Sequence, residues 1–145
     1  MLDLVLAILH HLLVFGLFGV LFGEFLLVRR GIDHRVAATI ASIDIWYGVL
    51  AGLILIVGFS RAQFAGKGWD YYSNNGFFWA KLLAFAVIGL LSVWPTLRYL
   101  RWRRAGVAPR DDDVVTVRWP IYIQLGLFAV LLACAATMAR GYGEF

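Results

Sequence analysis

A chain of 145 residues that is 62% hydrophobic and only 15% charged has the composition of a membrane protein, not of a soluble domain of this size. Its net charge of +4 comes from arginines placed at the ends of apolar runs. This excludes a nucleic-acid footprint and suggests contact with anionic lipid headgroups. Cys134 is the single cysteine, so neither a disulfide framework nor a thiolate metal cluster can form within one chain.

Four stretches can each cross the ~30 Å hydrocarbon layer. They run over about 4–28, 40–59, 77–97 and 120–139. With connections this short, residues 1–145 form a single domain: an all-α membrane protein of four transmembrane helices in an up-down-up-down bundle. The first stretch has Asp3 where a signal peptide carries basic residues, and no small-residue cleavage site follows it, so it is read as retained.

Within that first stretch lie His10 and His11. An imidazole in hydrocarbon loses its hydration, so a partner is expected: a metal, a haem iron, a carboxylate or a carbonyl. Neighbours on a helix point about 100° apart, so at most one is expected to face a given site. By helical phase His10 shares a polar line with Asp3 and Glu24. His11 shares an aromatic line with Phe15, Phe18, Phe22 and Phe25, and His10 is preferred as the inward group. A third line carries Gly16, Gly19 and Gly23, the small-residue spacing that lets membrane helices approach closely.

The connection RRGIDHR follows, with Gly31 placed to stop the first helix and Asp33 to cap the second. On the second span Asp44, Gly48, Gly52, Leu55 and Phe59 share one face, ending near Arg61. The connection 60–76 is long and rich in glycine, asparagine and aromatics; Trp69, Tyr71, Tyr72 and Trp79 suit an interfacial belt. Lys81 aligns with Phe85, Gly89, Ser92 and Thr96 on the third span and is expected to face protein. The stretch RYLRWRR, with Tyr99 and Trp102, reads as an interfacial anchor, and Trp94 and Trp119 join it as a second belt. The helix should break near Gly106 and Pro109. Asp111, Asp112 and Asp113 then read as a solvated turn or the start of the last helix, which holds Gln124, Cys134 and Met138.

Nine arginines lie in the first and third connections (Arg29, Arg30, Arg35, Arg98, Arg101, Arg103, Arg104, Arg110, Arg118) against Arg61, Lys67 and Arg140 opposite. The positive-inside rule then places both termini and the 60–76 connection outside, periplasmic in a bacterial inner membrane. His10, His11, Lys81, Arg61 and Met138 fall at one depth in the outer half. Glu24, Asp44, Arg98 and Gln124 fall in the inner half, where the carboxylates are expected to pair with arginine or with each other.

The segments MLDLVLAILHHLLVF, DIWYGVLAGLILIVGF and NNGFFWAKLLAFAVIGLLSVWPTLRYLRWRR resemble a family of uncharacterised four-helix bacterial membrane proteins over nearly the whole chain. More distantly the chain resembles the HemJ-type protoporphyrinogen oxidases and the CopD-like membrane proteins. The carrying residues are the early histidine, His10 or His11, and Trp79-Ala80-Lys81-Leu82 opening the third span. The sequence departs from the HemJ-type pattern in having GEFLLVRR at the inner end of span one and Ser92-Val93-Trp94-Pro95 where a histidine can follow the motif.

That resemblance implies haem b (protohaem) with a redox role, either electron transfer or oxidation of a lipophilic substrate such as a porphyrinogen or quinol. The enzyme it implies would be a haem-dependent oxidoreductase. His10 or His11 would bind iron, Lys81 or Arg61 would meet the propionates, and Trp79 and Met138 would border the group. The second axial position stays open among water, Met138, Lys81 and a histidine of a second chain. The alternative is a bundle without haem for metal handling, proton-coupled transport or a structural role. One cysteine and two methionines are few soft ligands for copper. Membrane lipid is an expected partner, and the glycine stripes suit a homodimer.

Overall fold

Hydrocarbon offers no hydrogen-bonding partner to a peptide group, so a chain of long apolar runs must satisfy its backbone within each run. It does so as helices. The computed structural model describes residues 1–64 and 67–143. It contains α1 (Leu2–Leu27), α2 (His34–Phe64), a short α3 (Trp69–Ser73), α4 (Gly76–Ala105) and α5 (Asp111–Ala139), with no strand among the described residues. The four long helices are each apolar and long enough to cross a membrane. At about 1.5 Å per residue each spans roughly 40–45 Å, so all four overrun the apolar layer into the headgroup zone at one or both ends.

Local chemistry sets the boundaries. Gly31 adopts φ 77° after α1, a left-handed conformation that favours glycine, and its N–H donates to Asp111 Oδ1 at 2.9 Å. Asp33 accepts from Val36 N at 2.8 Å and caps α2. Gly106, at φ 65°, ends α4. Asp111, Asp112 and Asp113 occupy the first turn of α5, where their charge meets the positive end of the helix dipole.

The helices run in alternating directions, and in the packing α1 lies against α2, α2 against α4, α4 against α5, and α5 against α1. Asp3 meets Arg61, and Gly76 N donates to the Gly143 carbonyl at 2.9 Å, so both chain ends and the 60–76 connection share one end of the bundle. We call this the terminal end and the other the arginine-rich end. Leu17 and Leu21 of α1, Ile40 and Ile54 of α2, Ile88 of α4, and Ile121 and Phe128 of α5 fill the core. Leu12, Phe15, Trp46, Leu90 and Leu132 face outward, as side chains bathed by lipid can.

Three expectations about faces are corrected. The glycine stripes do not form the helix contacts: a methyl group built on Gly19, Gly23, Gly48, Gly52 or Gly89 would touch nothing, and only Gly16 packs, against Leu50. The buried face of α2 runs through Ala37, Ile40, Ala41, Asp44 and Tyr47. Gly48, Gly52, Leu55 and Phe59 are exposed, because α2 is met by α1 on one side and α4 on the other. Tyr99 and Trp102 are buried in the core; only the arginines of RYLRWRR remain at the surface. Of the 60–76 connection, 60–64 extends α2 and 69–73 forms α3, while Ala65 and Gly66 lie outside the described residues.

The fully buried Asn75 ties the terminal end together. Its Oδ1 accepts from Phe77 N at 3.0 Å and Phe78 N at 3.3 Å, and its Nδ2 donates to the Tyr142 carbonyl at 3.0 Å. Asn75→Ala should lower stability by about 1–2 kcal/mol. Unfolding in mixed micelles would measure the loss, with faster proteolysis after Ala139; unchanged values would contradict the cap.

Candidate functional site

At the terminal end the long helices part around a cavity of about 480 Å³, within the roughly 300–1,000 Å³ typical of cofactor and small-molecule sites. Val14, Leu17, Ile54, Phe85, Phe128 and Leu131 wall it with apolar surface. Its polar side chains are cationic or imidazole, apart from Asp3 and the hydroxyls of Tyr71 and Tyr72. Among its lining residues are five of the six predicted in sequence: His10, His11, Arg61, Lys81 and Met138.

Both histidines border the cavity, contrary to the expectation that only one could face a site. The cavity is broad enough to span adjacent positions of α1, and the two rings lie edge to face with centroids 6.2 Å apart. Their settings differ. His10 is half-buried against α2, with its ring in the space left by Gly58: a Cβ there would lie 3.3 Å from His10 Cε1. Its Nδ1 is buried with no hydrogen-bond partner. His11 is exposed, and its Nδ1 lies 2.6 Å from the Ala7 carbonyl. A carbonyl can only accept, so Nδ1 carries a proton and Nε2 is the ring nitrogen not engaged by the helix, the arrangement common in metal-binding histidines.

The cations differ too. Arg61 Nε lies 3.4 Å from Asp3 Oδ1, an exposed pair that joins the ends of α1 and α2. Lys81 is half-buried with Nζ 5.6 Å from the Phe78 ring centroid, and Lys67 Nζ sits 3.8 Å over the Tyr71 ring. Tyr71 Oη donates to the Met138 carbonyl at 3.1 Å and fastens α3 to α5 beside the cavity. Trp79 departs from expectation: it lies outside the cavity lining, and its Nε1 donates to the Ser73 carbonyl at 2.9 Å, pinning α3 to α4. Gly58 and Tyr71 were not singled out in sequence as site residues, although Gly58 precedes Arg61 by three residues on the same face of α2.

A second polar group lies toward the arginine-rich end. Glu24 of α1 and Asp44 of α2 are 3% and 6% exposed. Thr96 Oγ1 donates to Asp44 Oδ1 at 3.1 Å, and Tyr47 Oη donates to Gln124 Oε1 at 2.8 Å. Of the two expected pairings, with arginine or with each other, the arginine one is corrected, while Glu24 and Asp44 lie within electrostatic reach of each other. Arg98 instead bonds Asp113 Oδ1 at 3.0 Å, and Arg118 donates to the Val28 carbonyl at 2.8 Å. Tyr47 and Tyr99 went unread as members of this group, although each lies one turn from one (Asp44 and Thr96).

The family model described as "Predicted membrane protein (DUF2214)" matches residues 2–143. The chain belongs to that family. No curated protein and no solved structure matches it. The match takes in every helix and both polar groups of this DUF2214 protein.

The inward placement of His10 has a direct check. Diethyl pyrocarbonate should modify His11 before His10 in the purified protein, as read by peptide mass spectrometry. Gly58→Leu should change the rate at His10 alone. Equal rates at the two rings would contradict the geometry.

Proposed function

We propose that this chain binds haem b in the cavity at the terminal end and serves a redox role in a bacterial inner membrane, in electron transfer or in oxidation of a lipophilic substrate such as a porphyrinogen or quinol. The observation that supports this best is the convergence of two imidazoles and three cations on one apolar cavity. Protohaem supplies four of its iron's ligands itself, so it asks the chain for only one or two imidazoles. The residues fit that demand. The His10 ring borders the cavity with its Nδ1 side packed against Gly58, and His11 borders it with Nδ1 anchored on the Ala7 carbonyl. Lys81, Arg61 and Lys67 suit the two acidic edges, and the apolar walls suit the macrocycle.

When bound, the haem would supply one-electron chemistry. The chain's own part is to hold and shield it. Gly58 leaves room for the His10 ring, the Ala7 carbonyl fixes the His11 ring, and Phe85 and Phe128 keep water from the cavity floor. The arginine bias supports an outward-facing terminal end, and the outward glycines of α1 and α2 support a homodimer.

Absorption spectroscopy of the protein purified from haem-replete cells tests the proposal. A Soret band with reducible α and β bands is expected, abolished in His10→Ala and weakened or shifted in His11→Ala. Lys81→Met and Arg61→Met should each weaken hemin affinity on the order of tenfold, equivalent to about 1.4 kcal/mol. A folded, colourless protein that takes up no hemin would overturn it.

A further inference from the structure

The polar group toward the arginine-rich end is separate from the cavity and unused by the proposed redox role. Glu24 and Asp44 come from adjacent helices and lie within electrostatic reach of each other. Glu24 is 97% buried by its 3% exposure, and its Oε1 has no hydrogen-bond partner. The hydroxyl of Tyr99, a residue 0% exposed on α4, faces the Glu24 carboxyl and is likewise unpartnered.

The charged and titratable groups around Glu24 can be taken helix by helix. From α2 come Asp44 and Tyr47; from α4 comes Tyr99, with Thr96 bound to Asp44; from α5 comes Gln124, which is neutral and bound to Tyr47. The two arginines of the neighbouring turns are engaged by Asp113 and by the Val28 carbonyl. No cation in the described residues therefore balances the pair. Two ionised carboxylates side by side in a medium of low dielectric repel each other, and each has lost its hydration. One bound proton relieves both penalties.

We propose that Glu24 and Asp44 form a proton-binding site that holds one proton between them and exchanges it with the aqueous phase at the arginine-rich end. Asp44 keeps the Thr96 hydroxyl as its donor. The proton resides on Glu24, whose Oε1 is buried and has no partner. Glu24 lies within one turn of the end of α1 at Leu27, so the exchange path is short. Intramembrane carboxyls of this kind mark proton relays, and a proton taken from one face can balance charge moved elsewhere in a bundle.

Infrared difference spectroscopy of the full chain in lipid nanodiscs tests this. The wild type should show the C=O band of a protonated carboxyl at neutral pH, shifted in D2O and lost on alkalinisation. E24Q should lack it, and D44N, with the neighbouring charge removed, should bind the proton about tenfold more weakly. The site would be overturned by absence of the band in the wild type, by a band unchanged in both variants, or by a band set by sodium at fixed pH. The wild-type pH and sodium series and D44N decide the matter even if E24Q fails to fold. A colourless protein with this band intact would sink the haem reading alone.

Discussion

Hydrocarbon cannot hydrate a peptide group or a charge, and that constraint orders this whole molecule. It makes the backbone helical over four long stretches. It also drives polar side chains within them to find a partner or line a cavity. His11 turns to its own helix at Ala7, Thr96 to Asp44 and Tyr47 to Gln124. Buried polar atoms without a partner remain at His10 Nδ1 toward one end and at Glu24 Oε1, Tyr99 Oη and Trp102 Nε1 toward the other.

These places are well apart. His10 and Glu24 are both on α1, and at about 1.5 Å per residue their positions differ by roughly 20 Å along the helix axis. Leu17 and Leu21, both fully buried, lie between them, with Ile54, Ile88 and Phe128 packed in the same core. The bundle thus has a cationic, open pocket at one end and a closed, anionic group toward the other, joined by a dry core. An acidic lipophile suits the first and a proton the second. Electrons and protons handled at opposite ends of one bundle would form a charge-balancing pair.

The depth of the site was legible because helix rise is regular. His10, Arg61, Lys81 and Met138 could be placed at one level by counting residues, and they do line one cavity. Facing was less legible. On α2 the face holding Asp44 was read through Gly48 and Gly52, but the buried side turns toward Tyr47 because α1 and α4 both pack there. Tyr99 and Trp102 have the composition of an interfacial belt, and only the packing of α4 within the bundle puts them inside.

By itself the sequence determined the number of long apolar helices, their alternation, their caps at Asp33 and Gly106, and the level along the bundle of His10, Arg61, Lys81 and Met138, though not the short α3. Hydropathy and turn chemistry are local and need no knowledge of neighbours. Only the tertiary structure decided that His10 and His11 share one cavity, that the glycines face outward, and that Glu24 meets Asp44 and Tyr99 with no arginine in attendance. A helix in lipid is apolar on nearly every side, so its periodicity does not say which face its neighbours cover. Packing among four helices settles that.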